Sequence, residues 1–194
     1  DSIMSSGAGS VAVSARPVRL LHRQTKDRVG GLGSAVLAGL QSSSARWAIV
    51  MDGDLQHPPE VVPQLIGVGE SEHADVVIAS RYVGPGSALG LGSPIRTWVS
   101  GGATRLARAS FPCRLRGCSD PMSGFFAVRL DSLQLDRLHP NGFKVLLEIL
   151  TRSPKLRLAE HPFTFQDRLS GQSKASWREG TLFVRRLMIL RLPT

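Results

Sequence analysis

The sequence predicts an α/β fold in which helices flank a mostly parallel sheet. Short apolar runs alternate along the chain with segments whose apolar residues recur at helical spacing. Two of the apolar runs, residues 46–51 and 75–80, are followed directly by the charged residues Asp52 and Arg81. Strands that alternate with helices form layered sheets, which bind ligands at the carboxyl ends of their strands. We therefore expect Asp52 and Arg81 to lie at the ligand-binding edge.

The boundaries of each predicted element follow from its apolar spacing and from the turn formers around it. A helix opens at the glycines of residues 30–35 and runs to about residue 41. The next helix starts at Pro58 and Pro59, because proline is tolerated in a first helical turn. The other predicted elements are strands at residues 18–22, 125–130 and 156–165, helices at 94–109, 143–151 and 177–192, and a glycine-rich loop at 84–92.

The composition favours an anionic ligand over a nucleic acid. The 194 residues carry a net charge of +9, from 24 Lys and Arg against 15 Asp and Glu, and such an excess attracts phosphorylated ligands or anionic membrane surfaces. The arginines are spread along the chain and there is one tyrosine, which argues against a nucleic-acid-binding module. Cys113 and Cys118 have no second pair or histidine at zinc-ligand spacing. The sequence contains no apolar run of 18 residues and so predicts no membrane-spanning segment.

The most informative motif follows the strand at residues 46–51. Asp52, Asp54 and Gln56 are spaced by two and precede the Pro-Pro-Glu helix start. Their hard oxygen ligands suit Mg²⁺ or Mn²⁺, and a few protein ligands suffice when substrate phosphates complete the shell. The alternative is a turn that ends the strand, since Asp and Gly also form turns. The full nine-residue string favours the metal site, and a metal with a diphosphate suggests nucleotide-sugar chemistry.

Further motifs contribute groups that bind anions. Gly31 and Gly33 either cradle a phosphate at a helix start or simply make that start flexible. Arg96 and Ser100 share a helical face, and with Arg81 they form a candidate phosphate pocket, although a lone arginine is more often solvated.

Three features nearer the carboxyl terminus also have a structural and a functional interpretation. Asp120 precedes a strand, and a plain turn there is the alternative. Arg168 and Lys174 flank Gly171 in a polar loop, which is either a lid that neutralises a leaving diphosphate or a solvated loop. The basic helix at residues 177–192 either lies on an anionic membrane or packs on the core.

Together these strings resemble family 2 glycosyltransferases of the polyprenol-phosphate type, the dolichol-phosphate mannose synthase-like enzymes. The matching segments fall in family order between about residues 18 and 175 and are residues 30–35, 52–60 and 79–82, Arg96 with Ser100, residues 120–125, and Arg168 with Gly171, Ser173 and Lys174. Several motifs in order are more specific than any one of them. The resemblance implies a GT-A fold and an inverting transfer of mannose or glucose, from GDP-mannose or UDP-glucose, to a polyprenyl phosphate.

The resemblance also implies roles for individual residues. Asp52, Asp54 and Gln56 would hold Mg²⁺ or Mn²⁺ on the donor diphosphate. The acceptor phosphate would bind to Arg81, Arg96 and Ser100. Asp54, Asp120 and Arg168 would be the catalytic residues, with Asp120 on the acceptor side. Contacts to the donor are expected from Asp1, Gly31, Gly33, Asp52, Gly53 and Lys174.

The chain departs from the family pattern at its start. The first strand and its nucleoside-binding motif are missing, and we interpret Asp1 and Ser2 as the remnant of a second such motif. We expect a catalytic domain at residues 1–175, lacking the first strand, and a basic helix at 176–194. The expected location is the cytoplasmic face of a membrane, either peripheral or attached through segments outside this chain. The alternatives are an inactive or truncated paralogue and a metal-dependent nucleotidyltransferase.

Overall fold

The helices and strands of the computed structural model alternate as the sequence predicts. The structure describes residues 20–54, 56–84, 94–139, 142, 144–164 and 177–191, without the side chains of residues 26, 27, 94–100 and 177–182. The helices are α1 (Gly31–Gln41), α2 (Val61–Ser71), α3 (Pro94–Ser110), α4 (Val145–Arg152) and α5 (Trp177–Arg191). The strands are β1 (Trp47–Val50), β2 (Val76–Ser80), β3 (Phe126–Arg129) and β4 (Leu158–Pro162).

The sheet formed by these strands is mixed, with the order β1-β3-β2-β4. Strands β1, β2 and β4 run in one direction, and β3 runs against both of its neighbours. The α/β class is confirmed, and the predicted parallel direction holds for three of the four strands. Because β3 is reversed, the segment that precedes it reaches the edge where β1 and β2 end. Phe126, the first residue of β3, pairs with Val50 of β1 and Ile78 of β2.

Alternation along the strands separates two hydrophobic layers. Val76 and Ile78 of β2 face a large core built with α1, α3, α4 and α5. Val77 and Ala79 face a smaller core that contains Leu65 of α2. All five residues of β2 are buried, as expected for a strand covered on both faces. Helices therefore cover both faces of the sheet. The charged residues Asp52 and Arg81 follow the carboxyl ends of β1 and β2.

Two local expectations are wrong. Residues 20–22, the described part of the strand predicted at 18–22, form no strand, and Leu20 is 87% exposed. Without a core to bury that side chain, its apolar character does not produce an extended element. Strand β1 is half-buried rather than buried. The glycine-rich loop predicted at 84–92 lies outside the described residues after Gly84.

Helix α5 packs on the core, which was one of the two alternatives considered for it. Leu187 and Leu190 are buried in the large core. Arg186 forms an ion pair with the buried carboxylate of Glu148 in α4 and donates to the backbone carbonyl of His139 at 2.8 Å. A buried carboxylate is costly unless it is paired, so this ion pair fixes α5 against α4.

Candidate active site

A cleft of about 200 Å³ opens at the carboxyl ends of β1 and β2. Its polar lining comes from Asp52 and His57 after β1, Arg81 after β2, and Lys144 before α4. Its apolar lining comes from α1, the strand ends and α4, and comprises Leu32, Val36, Val50, Met51, Met122, Phe126, Val145, Leu146 and Phe163, with Ser123 and Gly124 beside them. The sequence expectation that Asp52 and Arg81 share one edge is met by this geometry.

Two backbone amides of the segment after β1 donate hydrogen bonds to side chains of the same segment. Asp52 is exposed, Asp54 is half-buried and Gln56 is buried. The backbone N–H of Gln56 donates to Oδ1 of Asp54 at 3.2 Å, an Asx turn that orients the carboxylate. The backbone N–H of Asp52 donates to Nδ1 of His57 at 2.9 Å. These two bonds present both carboxylates at the end of the strand.

His57 serves as a buried support for this turn. Its ring stacks on Phe125, with 5.0 Å between centroids, and meets the edge of Phe163 at 5.8 Å. Burial lowers the pKa of His57, and this effect outweighs the nearby carboxylates of Asp52 and Asp54, which act to raise it. A neutral imidazole has one acceptor nitrogen, and here that nitrogen accepts the Asp52 amide.

Gly124 lets the carboxylate of Asp52 lie against the start of β3. A Cβ added at Gly124 would stand 3.4 Å from Oδ2 of Asp52 and 3.6 Å from Cε1 of His57. Alanine would therefore be in contact with the carboxylate, and any longer side chain would occupy its space. In contrast, a Cβ at Gly53 would meet nothing within 4 Å. The protein around residue 53, for which a donor-binding role was predicted, therefore has room for a larger side chain.

Arg81 and Asp120 form a buried two-point ion pair beside the acidic turn. Nε and Nη2 of Arg81 donate to Oδ2 and Oδ1 of Asp120, both at 2.8 Å, and the Arg81 backbone N–H donates to Oδ2 at 3.3 Å. The side chains are 9% and 0% exposed. Burial acts to lower the pKa of Arg81, but the hydrogen bonds and charge of Asp120 raise it. Asp120 therefore fixes the orientation of the Arg81 guanidinium.

Glu160 of β4 holds the loop that carries Asp120. Its Oε1 accepts from the backbone N–H of Ser119 at 2.8 Å, from the Ser119 hydroxyl at 3.1 Å and from the Asp120 N–H at 3.2 Å. The hydroxyls of Ser119 and Ser80 are 2.7 Å apart. The loop before β3 is thus tied to both β2 and β4, which gives Asp120 a fixed position.

Gly31 and Gly33 lie at the start of α1, as predicted. The amide of Gly33 already donates to the carbonyl of Gly142 at 2.6 Å, and the amide of Gly142 donates to the carbonyl of Gly30 at 2.9 Å. Gly30, Gly31 and Gly142 all have positive φ, at 91°, 64° and 93°, a region that favours glycine. In this arrangement the Gly33 amide is not available to a phosphate, and the glycines join α1 to the segment before α4.

The donor atoms at the acidic turn fit a hard divalent cation. In the described part of the chain, no three His, Cys, Asp and Glu side chains cluster as a metal centre; the candidate set is two carboxylates and one carboxamide. Mg²⁺ and Mn²⁺ take oxygen ligands, and Mg²⁺ commonly binds one or two protein carboxylates plus substrate phosphates and water. Exposed Asp52, in the lining of the cleft, and half-buried Asp54, two residues later, match that requirement.

The structure does not describe the side chains of the remaining predicted site residues. Asp1, Arg168 and Lys174 lie outside the described residues, and Arg96 and Ser100 are in α3 without described side chains. Sequence reasoning assigned no role to Gly124, Lys144 or Glu160, although Gly124 lies in the matching segment 120–125. A glycine directly before a strand was a usable signal for Gly124. No local signal identifies the other two, because their significance comes from contacts with distant parts of the chain.

Comparison with known sequences identifies the family. Residues 10–133 match the family described as Glycosyl transferase family 2. The chain is 40% identical over 164 residues to a dolichol-phosphate mannosyltransferase of Pyrococcus furiosus, covering 81% of this chain and 43% of that protein. It is 38% identical to the Saccharomyces cerevisiae protein of the same name (82% and 59% covered) and 34% identical to an undecaprenyl-phosphate mannosyltransferase of Micrococcus luteus (82% and 65%).

Comparison with solved structures identifies the fold. Glucosyl-3-phosphoglycerate synthase of Mycobacterium tuberculosis superposes with a TM-score of 0.54 at 22% identity, covering 92% of this chain and 56% of that one. Its complex with Mn²⁺ and UDP-glucose gives the same TM-score and identity, with 81% and 52% covered. At this identity the likeness concerns the fold, which is GT-A.

The chain spans about half the length of the curated relatives it matches. Among the described helices, none is both long enough and apolar enough to cross a membrane. The family match covers more than half of the chain, and Asp52 and Arg81 from two of the matching segments line one cleft at the ends of β1 and β2. By its sequence, its fold and the position of these residues, the chain belongs to glycosyl transferase family 2.

Proposed function

We propose that this chain is the catalytic part of an inverting, metal-dependent glycosyltransferase that moves mannose or glucose from a nucleotide-sugar to a polyprenyl phosphate. The observation that carries this proposal is the position of the Arg81–Asp120 ion pair beside Asp52 in one cleft. The carboxylates suit a metal-bound diphosphate, and the guanidinium suits a phosphate. The names of the relatives, dolichol- and undecaprenyl-phosphate mannosyltransferases, support a polyprenyl phosphate acceptor.

Asp52, Asp54 and Gln56 would hold Mg²⁺ or Mn²⁺ on the donor diphosphate, GDP-mannose or UDP-glucose. The cation would neutralise the charge that develops on the leaving diphosphate. The chain itself orients the residues that would bind the cation: the Gln56 backbone amide positions the Asp54 carboxylate, and His57 holds the backbone at Asp52. A neighbouring fold determined with Mn²⁺ and UDP-glucose supports this assignment.

The reaction we infer is a single displacement. A phosphate oxygen of the acceptor attacks the anomeric carbon, the bond from that carbon to the diphosphate oxygen breaks, and the nucleoside diphosphate leaves with the electron pair. A phosphate monoester has a second pKa near ~6 and is mostly dianionic at neutral pH. The nucleophile therefore needs no strong general base, which agrees with the supporting role of His57.

Arg81 would align the acceptor phosphate for this attack, and Asp120 would act by fixing the guanidinium. Alignment and fixed charges supply much of the rate when the nucleophile is already ionised. Arg96 and Ser100 would complete the acceptor site. Arg168 and Lys174 would contact phosphates as their loop closes.

A polyprenyl phosphate acceptor is anchored in lipid, so the cleft must work at a membrane surface. We place it at the cytoplasmic face, either peripheral or attached through segments outside this chain. The net charge of +9 would favour approach to anionic lipid.

The proposal is tested by the product formed on membranes from cells that express the protein. The membranes are incubated with labelled GDP-mannose or UDP-glucose, polyprenyl phosphate and Mg²⁺ or Mn²⁺, and the expected product is a lipid-linked sugar. Asp54→Asn should lower the rate about 100-fold or more. Asp136→Asn removes an exposed carboxylate from a short 3₁₀ segment and should leave the rate unchanged.

Three results would contradict the proposal. If no common donor gives a lipid-linked sugar, the transferase assignment is wrong. If the lipid receives a sugar-phosphate instead of a sugar, the protein is a nucleotidyltransferase. If Asp54→Asn is as active as the parent protein, the metal assignment is wrong.

A further inference from the structure

Lys144 lies on the wall of the cleft and belongs to none of the motifs that point to the transferase. It is half-buried and directly precedes α4, whose first residues, Val145 and Leu146, also line the cleft. The same cleft contains Asp52 and Arg81. Lys144 is therefore a third charged residue in the lining of this cleft, where phosphates would bind.

The charges around the cleft explain why a further cation matters. Arg81 and Asp120 form a tight ion pair, so together they contribute no net charge. Asp52 adds one negative charge to the lining. Without Lys144 these three groups would give a negative wall, which would repel a phosphate ligand. Lys144 balances the charge of Asp52, whereas Asp54 in the same turn remains a further negative charge.

The backbone around Lys144 is held at two points. Gly142, two residues earlier, exchanges hydrogen bonds with Gly30 and Gly33 at the start of α1. The second point is a bond from the N–H of His139, before Gly142, to Oε1 of Glu148, four residues after Lys144, at 3.0 Å. Because this backbone segment is already held, a contact from Lys144 to a bound phosphate would have to order only the side chain.

From these observations we infer that Lys144 is a phosphate-binding residue of the cleft. The inference rests on the proposed function, because it names a contact to that reaction's ligands. The ligand is a phosphate group, which is supplied either by the nucleoside diphosphate of the donor or by the lipid phosphate of the acceptor.

Titration calorimetry of the purified chain separates these two sources. One arm measures GDP in the presence of Mn²⁺, and the other measures farnesyl phosphate, a short soluble prenyl phosphate. Lys144→Met should weaken one of the two ligands about tenfold or more, the size of a lost charged hydrogen bond. Lys144→Arg should retain most of that affinity, because it keeps the charge.

Lys155 is the matched control, since it is an exposed lysine just after α4. Lys155→Met should bind both ligands like the parent chain, and urea unfolding should show all variants folded. Equal affinity of Lys144→Met and the parent for both ligands would overturn the inference, as would a parent chain that binds neither. Phosphate binding that depends on Lys144, without sugar transfer, would overturn the proposed function and leave this inference standing.

Discussion

Both ends of β2 carry an arginine–aspartate pair with two-point geometry, and the two pairs differ in burial. At the amino end, Asp75 accepts from Nε and Nη2 of Arg157 at 3.2 Å, and the Arg157 side chain is 60% exposed. At the carboxyl end, Arg81 and Asp120 are 9% and 0% exposed. An exposed pair is screened by water, whereas a buried pair must be kept complete. This difference agrees with a structural junction at the amino end and with the binding role that we propose for the carboxyl end.

The two pairs also connect different kinds of neighbours. Asp75 joins elements next to it in the sheet, because it also accepts from the Arg157 backbone N–H at 2.9 Å and from the Ser132 hydroxyl at 3.0 Å. Asp120 lies in a loop and directs Arg81 at the cleft wall. An ion pair that only joins neighbouring strands of the sheet does not need both of its charges to be buried. The buried pair is therefore the more informative one for function.

The largest expected effect comes from breaking the buried pair. Asp120→Ala leaves the Arg81 guanidinium buried without its carboxylate, which should cost about 3–5 kcal/mol of unfolding free energy and abolish sugar transfer. Urea unfolding and the transfer assay measure the two losses.

A double variant separates stability from function at this pair. Arg81→Met with Asp120→Leu replaces both charges by apolar groups and should recover most of the stability, since buried ion pairs are often replaceable. It should remain inactive. Transfer activity in this double variant would show that the pair serves the fold alone, and the contrast between the two ends of β2 would then disappear.

The next largest expected effect is a loss of stability when the packing around Trp47, at the amino end of β1, is made too tight. A Cβ on Gly69 of α2 would stand 2.4 Å from Cη2 of Trp47, and the Trp47 indole is held by a hydrogen bond of 2.6 Å to Glu70. Gly69→Ala should therefore destabilise the protein by about 1–3 kcal/mol through overpacking. Substrate affinity in the folded fraction should not change.

Gly67 provides the control in the same helix. A Cβ there meets nothing within 4 Å, so Gly67→Ala should stabilise the helix by about 0.5–1 kcal/mol. Urea midpoints of the two variants should shift in opposite directions. If Gly69→Ala is as stable as the parent, the indole is not fixed at this end of the sheet; if Gly67→Ala also loses stability, the effect is not specific to the contact with Trp47.

The sequence predicts the elements better than it predicts their arrangement. Residues 31–41 and 76–80 follow from local apolar spacing, and the acidic turn at Asp52 follows from its position after a strand. The reversed direction of β3 does not, because a short apolar strand has the same pattern in either direction. That reversal brings Asp120 to Arg81 across 39 positions in the chain. Contacts of this range depend on topology, which local spacing does not encode.

The smallest expected effect comes from the pair at the amino end, in which Arg157 is exposed and Asp75 is buried. Burial acts to raise the pKa of Asp75, but hydrogen bonds from Arg157 and Ser132 outweigh it and hold the pKa at about 2. A lowered folded-state pKa stabilises the fold above the ordinary value and loses this contribution as pH falls. The Asp75 contribution should therefore be complete above about pH 4 and should fade between about pH 4 and pH 2.

Asp75→Asn isolates this contribution from the other carboxylates. At neutral pH the variant should lose about 1 kcal/mol, since the arginine is solvated, and it should keep full transfer activity. The difference in unfolding free energy between parent and variant, measured by urea from pH 6 to pH 2, should shrink at the acid end. A difference that stays constant would show that the charge of Asp75 contributes nothing. A loss of transfer activity would show that the amino end of β2 also shapes the cleft, and the division of β2 into a structural end and a binding end would be wrong.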